Sequence, residues 1–560
     1  MQKTINANKR IIAIILCIAT ILGCMPFQQA SAYATENKVT LSQGERIEYG
    51  THFTTRMYVD GNSKNMAYCL EPGKWTPDEA AYNYEELGFQ SDLRKAVYYL
   101  QGGYGYDKNI KEKYLSNYTE DQAYAISHLV VSYIYDDYQD GGDAFMGTPE
   151  NYIAKAKEIA AAIKKLPDPP KTFKAFILKK TGGQDIVGSW FYEPMGWIEL
   201  FKSSNNEQVS AGNPNYTLAG AKYGVYDGEK LVETLITDDK GYAKSGKIEE
   251  GSYTLKEITP SAGYAIDVNQ YEVNVTTDKT VSVKVKETPQ NSPLEIVLSK
   301  IDSETGKSKA QGGATLAGAE FKVEFYAVKN GADISSVKPA RSWTFKTDEN
   351  GKIRLSKNYL VSGDEFYYQL DGVTPCMPLG TVVIKETKAS EGYLLNNKTY
   401  TMEITSEGTA ETVKTYNVPD IPEQVKRGDL EFVKVSDGDL NRLAGVPFKI
   451  TSLTTGESHV IVTDKNGYVS TNSEWNKHTV NTNRGETSED GIWFGEAAPD
   501  DSKGALIYDD YELEELRCEA NEGMNLLKFK VSIYKDKVTV PLGTLTDIAI
   551  DIPIKRRNMV

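Results

Sequence analysis

Three lysines sit inside otherwise apolar, strand-like runs: Lys202 in ELFK, Lys300 in VLSK and Lys434 in EFVK. Each is followed along the chain by a second strand-like run with glutamate at its end: YTLKE to Glu257, VVIKE to Glu386 and YELEE to Glu515. An amine buried among Val, Leu and Ile gives up its proton readily, because desolvation disfavours the charged form. The neutral amine can then attack a side-chain amide or acid on a neighbouring strand. A buried, protonated glutamate can hydrogen-bond the acceptor carbonyl and shuttle protons. Folding supplies the proximity, so no external enzyme is needed. The plainer reading puts lysine and glutamate on the solvent face of an alternating strand. A second candidate is Cys69 in NMAYCLEPGK, beside an apolar patch and a Pro-Gly turn. It reads either as a buried free thiol or as half of an internal thioester with a glutamine. Such a thioester is a latent electrophile that a partner's amine converts to an amide, and it needs a pocket that excludes water until the partner arrives.

The acceptor for each lysine belongs on the last strand of its module. In the second module TVKTYNVP offers Asn417, giving the set Lys300, Glu386 and Asn417. In the third, PLGTLTDI offers Asp547, giving Lys434, Glu515 and Asp547, with Asp551 as a lesser alternative. In the first, VSVKVKETP puts Glu287 where the acceptor should be, so Lys202 and Glu257 are expected to form only a salt bridge.

The elements that position these groups repeat three times. A Leu-Ala-Gly step opens a strand at 218–220, 316–318 and 443–445, and a turn follows each: TDDKG at 237–241, TDENG at 347–351 and TDKNG at 463–467. After each glutamate comes a short glycine segment, AGY at 262–264, EGY at 391–393 and EGM at 522–524. Shared landmarks in one order define modules at 194–290, 293–421 and 425–553. Period-two patterning broken by turn signals predicts antiparallel sandwiches, and Pro289, Pro293, Pro419 and Pro422 mark semi-rigid joints. The long polar insertion at 471–507 is expected to form surface loops. Residues 35–193 differ: 78–102, 119–137 and 148–165 have helical periodicity, and TFKAFILKK reads as a strand, which makes an α+β module.

Lys3, Lys9 and Arg10 precede the apolar run IIAIILCIATIL, and Ala32 and Ala34 frame a small-residue cleavage site, so 1–34 reads as a signal peptide. No later stretch is apolar enough to cross a membrane. The formal charge of −15 argues against a nucleic-acid binder. Beyond the leader the cysteines are Cys69, Cys376 and Cys518, too few for a disulfide framework. With four histidines in 560 residues, no metal cluster or cofactor site is expected.

The three repeats resemble the SpaA-type and collagen-adhesin (Cna) B-type domains of Gram-positive pilins and adhesins, through the lysine strand, the LAG step and the YxLxE-plus-GY pattern together. LAGVPFKI, TGESHVIVTDKNG and YELEELRCEANEG in the third are similar to surface proteins with VaFE repeats. The YCLEPG segment resembles the thioester domains at adhesin tips, whose glutamine lies in a later helix. Gln122 in TEDQAYAISHLVVSYIY is the nearest candidate, while His128 reads as a core side chain. The resemblance implies an N-terminal α+β thioester-like domain followed by three antiparallel, prealbumin-like β-sandwiches in a rod. Its Lys–Asn or Lys–Asp isopeptide bonds would be promoted by glutamate. The expected role is that of a secreted, cell-surface or cell-wall adhesin or pilin-like protein. Its partners would be a host or matrix protein or glycan and other surface subunits. No G-x-S-x-G, H-E-x-x-H or Cys-His-Asn set points to an enzyme. A secreted hydrolase with accessory β domains, and a truncated fragment of a larger surface protein, stay open as alternatives. The truncation alternative rests on the absence of a sorting motif in IPIKRRNMV.

Overall fold

The computed structural model describes residues 37–140, 143–179, 181–480 and 491–547. The expected leader and Asp551 lie outside them. The chain divides at Met195/Gly196 into two compact units.

In the first unit six strands close a barrel in the order β1-β2-β3-β6-β5-β4. They are β1 (Lys38–Tyr49), β2 (His52–Val59), β3 (Asn62–Cys69), β4 (Ala81–Glu86), β5 (Ala175–Leu178) and β6 (Ile186–Ser189). Three helices pack against it: α1 (Asp92–Tyr99), α2 (Glu120–Tyr135) and α3 (Glu150–Lys165). The expected helix over 78–102 is therefore half strand. Residues 81–86 close the barrel between β1 and β5, pairing Val39 with Tyr82 and Glu85 with Ile177. The period-two spacing of Tyr82 and Tyr84 is the strand signal that the 3.6-residue reading overrode. The helix α2 is apolar on nearly every side, with Ala123 through Ser132 all buried. Such a helix must lie inside its domain. Its residues join the largest apolar cluster of the unit, together with α1, α3 and the strand face that carries Tyr68, Ala175, Ile177 and Val187.

The second unit holds the three β modules. Each has two facing sheets, and their strands pair antiparallel with one exception. The first strand of each module pairs in parallel with the last: Met195–Ser204 with Thr280–Glu287, Leu298–Asp302 with Asp420–Glu423, and Arg427–Lys434 with Thr539–Leu545. The second module also carries a small three-stranded sheet.

The repeated sequence landmarks have one structural purpose, which is to fix the lysine strand. The turn glycines Gly241, Gly351 and Gly467 all have positive φ, and a Cβ there would meet the carbonyl oxygen of Lys202, Lys300 or Lys434 at 2.3, 2.5 or 2.6 Å. Only glycine allows that approach. Each turn glycine's carbonyl in turn accepts the lysine N–H at 2.7, 2.7 and 2.8 Å. The turn threonines Thr237, Thr347 and Thr463 donate to the carbonyls of Leu218, Leu316 and Leu443, which ties the LAG step to the same corner.

Apolar packing continues across the joints. Tyr216 and Tyr264 of the first module belong to the core of the second, and Leu316 and Tyr393 of the second to the core of the third. Tyr216 donates to the Gln290 carbonyl at 2.6 Å and accepts from Leu379 N–H at 2.8 Å. At the next joint Arg427, 1% exposed, forks onto Glu304 and lies 3.8 Å from the Trp493 ring. The 471–507 insertion is thus only partly surface loop. Ile492, Trp493, Phe494, Ala505 and Leu506 are buried, and the carbonyls of Phe494 and Ala505 accept from Arg427. A buried guanidinium needs such acceptors, and the insertion supplies them.

Candidate functional site

The lysine clusters are built by the parallel strand pair. In the first strand of the second module the burial alternates, and Leu298, Lys300 and Asp302 all face inward. Lys300 is fully buried; it stands 3.8 Å from Glu386 and is in direct contact with Glu423. In the first module Lys202 is equally enclosed, 4.0 Å from Glu257 and in direct contact with Glu287. The register is the same in both. Lys202 lies opposite Val285 and Lys300 opposite Ile421, and two residues further the carboxylate returns to the lysine's face.

The expected acceptor Asn417 is a correction. It is exposed, and it lies outside the pairing strand, which runs Asp420–Glu423. Pro419 and Pro422 made that stretch read as a linker. Each proline sits where the strand needs no donor from it, so pairing continues past both. The residue that sequence reasoning missed is Glu423. The shared signal is an apolar residue, any residue, then an acid: Val285-Lys286-Glu287, Ile421-Pro422-Glu423 and Leu545-Thr546-Asp547.

In the third module Lys434 lies opposite Leu545, so Asp547 occupies the register position of Glu287 and Glu423. Its Oδ1 accepts from the Asp437 N–H at 2.9 Å, and the partner placed against Lys434 is Glu515 at 3.2 Å. That contact is an ion pair with poor hydrogen-bond geometry, because Lys434 Nζ has no hydrogen-bond acceptor among the described residues.

Each of Glu257, Glu386 and Glu515 is oriented by a backbone N–H from the following loop. Glu257 accepts from Asp267 at 2.6 Å, Glu386 from Asn396 at 2.6 Å and Glu515 from Leu527 at 3.2 Å. The tyrosines of the AGY and EGY segments cap the amines, with ring centres 4.8 Å from Lys202 and 4.7 Å from Lys300. Burial drives the protonation states toward neutrality. It pulls Lys202 down and Lys300 to about 8, against the pull of the facing carboxylates. It pushes Glu257 up to about 8, and raises Glu386 as well. Two carboxyls and one amine in a dry core cannot all be charged cheaply. Among the described residues, Glu257 Oε1, Glu386 Oε1 and Glu423 Oε1 have no hydrogen-bond donor.

In the first unit Cys69 ends β3, opposite Ile186 of β6. Its thiol is buried, 3.8 Å from Met57 Sδ, and burial pushes its pKa up. It lines a cavity of about 450 Å³ together with His128 and Gln184. Gln122 does not line that cavity. It is the third residue of α2, and its side chain accepts the Thr119 N–H at 2.9 Å while its own N–H is capped by Thr119 at 3.2 Å. This reciprocal cap fully explains a glutamine at that position. Gln184 is 5% exposed and lies two residues before the start of β6. Its Oε1 accepts from Glu71 N–H at 3.3 Å and its Nε2 donates to the Lys74 carbonyl at 3.4 Å. The backbone clamp continues through Leu70 N–H to Asp185 O at 2.9 Å and Gln184 N–H to Trp75 O at 3.0 Å. A Cβ at Gly183 would meet Trp75 O at 2.2 Å, so glycine is needed for this approach. In sequence Gln184 is hidden in the polar loop TGGQD, and only its place beside the IVGS strand marks it. His128 is 1% exposed and meets Tyr49 Oη at 3.4 Å through Nε2. Among the described residues no group of His, Cys, Asp and Glu is arranged to hold a metal ion.

A closed barrel with helices followed by two-sheet prealbumin-like modules defines a multidomain surface-protein architecture. Residues 38–170 match the family described as Thioester domain, and residues 210–289 and 295–419 match the family described as SpaA, prealbumin-like fold domain. The chain belongs to the proteins that join an N-terminal thioester domain to SpaA prealbumin-like domains. The trypsin-resistant surface T6 protein of Streptococcus pyogenes serotype M6 is 34% identical over 96 residues, which is 17% of this chain and 17% of that one. Among solved structures, the TIE protein of Bacillus anthracis is 17% identical, with 91% of this chain and 99% of that chain covered and a TM-score of 0.40. BcpA, the major pilin subunit of Bacillus cereus, is 16% identical, with 63% and 99% covered and a TM-score of 0.25.

Proposed function

We propose that the chain is an adhesin whose β modules are tied by lysine–carboxylate amide bonds and whose head carries a Cys69–Gln184 thioester. The observation that carries the reading is the pair of sealed clusters, Lys202 with Glu257 and Glu287, and Lys300 with Glu386 and Glu423, at one register. The neutral amine attacks the acceptor's Cδ, and the second glutamate passes the amine's proton to the leaving oxygen. Water departs and an Nζ–Cδ amide remains. Three groups that were costly to bury become one neutral amide and one protonated acid. The acceptors are Glu287 and Glu423, with Asp547 in the matching place of the third module and Glu515 as its promoter. Each bond joins the first strand of a module to its last, so a pull along the chain meets a covalent link. In the head, Cys69 Sγ attacks Gln184 Cδ and ammonia leaves. The thioester then reacts with a nucleophile on a host, matrix or neighbouring surface molecule.

The test is the intact mass of the exported protein before and after methylamine. Each lysine–carboxylate bond removes about 18 Da and the thioester about 17 Da. Two or three water losses that methylamine leaves alone, with peptides joining Lys202 to Glu287 and Lys300 to Glu423, are the expected result. The full calculated mass would end the cross-link reading.

A further inference from the structure

The cavity around Cys69 has a lining poorly suited to a cationic amine. Among its described lining residues there is no aspartate or glutamate, and the one fixed charge is that of Lys74. An ammonium entering it finds no carboxylate in the lining, and the one charge there, Lys74, is already paired with Glu71 at 2.5 Å. A neutral hydroxyl meets no such barrier, but it attacks an acyl group slowly unless a base takes its proton. One imidazole is placed for that. His128 lines the same cavity, is 1% exposed, and its Nδ1 has no hydrogen-bond partner. It lies on α2 one turn before Ser132, whose hydroxyl donates to the Cys69 carbonyl at 3.3 Å, so that face of the helix is turned to Cys69. Burial lowers its pKa to about 4, against a smaller upward pull from the Cys69 carbonyl, so the ring is a neutral proton acceptor. A mouth suited to a sugar is also present. Trp75 lines the cavity while 89% exposed, whereas the Phe53 ring beside it carries the Arg46 guanidinium 3.6 Å from its centre. An aromatic face left open to water at a cavity's mouth, as that of Trp75 is, offers a stacking surface to the C–H face of a pyranose ring.

We propose that the head transfers its acyl group to carbohydrate hydroxyls, with His128 as the general base and Trp75 as the sugar platform. The inference rests on the thioester reading above and names its acceptor class. His128 takes the hydroxyl proton, and the sugar oxygen attacks Cδ of the Gln184 acyl group. The Cδ–Sγ bond breaks, and the departing Cys69 thiolate takes the proton back from the imidazolium. The products are a glutamyl ester at 184 and a free Cys69 thiol, with no net redox change.

The full chain is incubated with methylamine or with methyl glucoside, and adducts are followed by intact mass. The wild-type protein is expected to take up both. His128→Gln is expected to keep the ammonia loss and the methylamine adduct while slowing the glucoside adduct by about 100-fold. Equal slowing of both adducts, or of neither, overturns the role of His128. Because His128 is buried, exposed Trp75→Ala is the companion variant. It should reduce glucoside uptake several-fold and leave methylamine unchanged, and no such difference overturns the sugar platform. A wild-type protein that takes methylamine and no glucoside sinks this proposal and leaves the thioester standing. A protein with neither ammonia loss nor adduct sinks the thioester and this proposal with it.

Discussion

The head and the β modules each bring a nucleophile to a side-chain acyl group, but they differ in what surrounds it. Around Lys300 the core is sealed: Lys300 and Glu423 side chains are wholly buried and Tyr393 lies over the amine. Around Cys69 a cavity of about 450 Å³ reaches exposed Trp75. A bond made in the sealed core has no route for a competing nucleophile. An acyl group made in the open cavity stays available to one. On the proposed reading the same chemistry serves permanence in one region and reactivity in the other, and access separates them.

The largest effect should come from breaking a sealed cluster. Glu386→Ala removes the proton carrier and leaves Lys300 facing one carboxylate. The mass should rise relative to the wild type by the one lost water after correction for the substitution. The second module should lose about 3–5 kcal/mol, the usual cost of a broken buried pair, as read by denaturant unfolding and faster proteolysis. A Glu386→Ala protein that keeps its cross-link would remove Glu386 from the chemistry. Lys434→Met in the third module should cost less and change the mass only if Asp547 is the acceptor, because Asp547 is bonded to the Asp437 amide. Peptide mapping of the Lys434 and Asp547 segments settles which.

How far the sequence revealed this differs between the two regions for a physical reason. The lysines, the promoting glutamates and the turns could be read from three in-register repeats, because each landmark meets the lysine strand directly. The acceptors were harder. Glu287 stood in an evident strand at the acceptor position, where only a salt bridge was expected, whereas Glu423 was masked by prolines that an edge pairing tolerates. In the head no repeat was available. Gln122 carried a helix signal that turned out to be its own cap, and Gln184 is defined by a β3–β6 pairing 115 residues after Cys69 in the chain, which local pattern does not encode. The burial of the 471–507 insertion was equally nonlocal, since it depends on Arg427 needing acceptors.

Burial by itself does not make a bond, and the joint between the second and third modules sharpens the point. Glu304 and Arg427 are 2% and 1% exposed in their side chains, as enclosed as the lysine clusters. A guanidinium cannot give up its proton in a protein, so this pair stays ionic. Burial alone would raise the Glu304 carboxyl, but Arg427, with Gln424 and Lys503, outweighs it and holds Glu304 at about 2. The folded value lies below the unfolded one. The stabilisation is therefore complete above about pH 4.5 and is lost as pH falls toward 2, up to about 3 kcal/mol. Acid should loosen this joint while the amide-linked modules keep their cross-links. Unfolding measured between pH 5 and pH 2, with Glu304→Gln as control, should show the acid-labile component disappear in the variant. An unchanged acid response would place it elsewhere.

The smallest effect separates the two glutamines of the head. Gln122→Ala removes one half of a capping box whose other half, the Thr119 hydroxyl on the Gln122 N–H, remains. The loss should be about 0.5–1 kcal/mol, with the ammonia loss and the methylamine adduct intact. Gln184→Ala removes the acyl group itself, so both should vanish although the fold survives. Reversal of these two results would return the thioester to α2. It would also mean that the cavity shared by Cys69 and Gln184 is only a packing defect, and the contrast between sealed and open acyl sites would lose its second member.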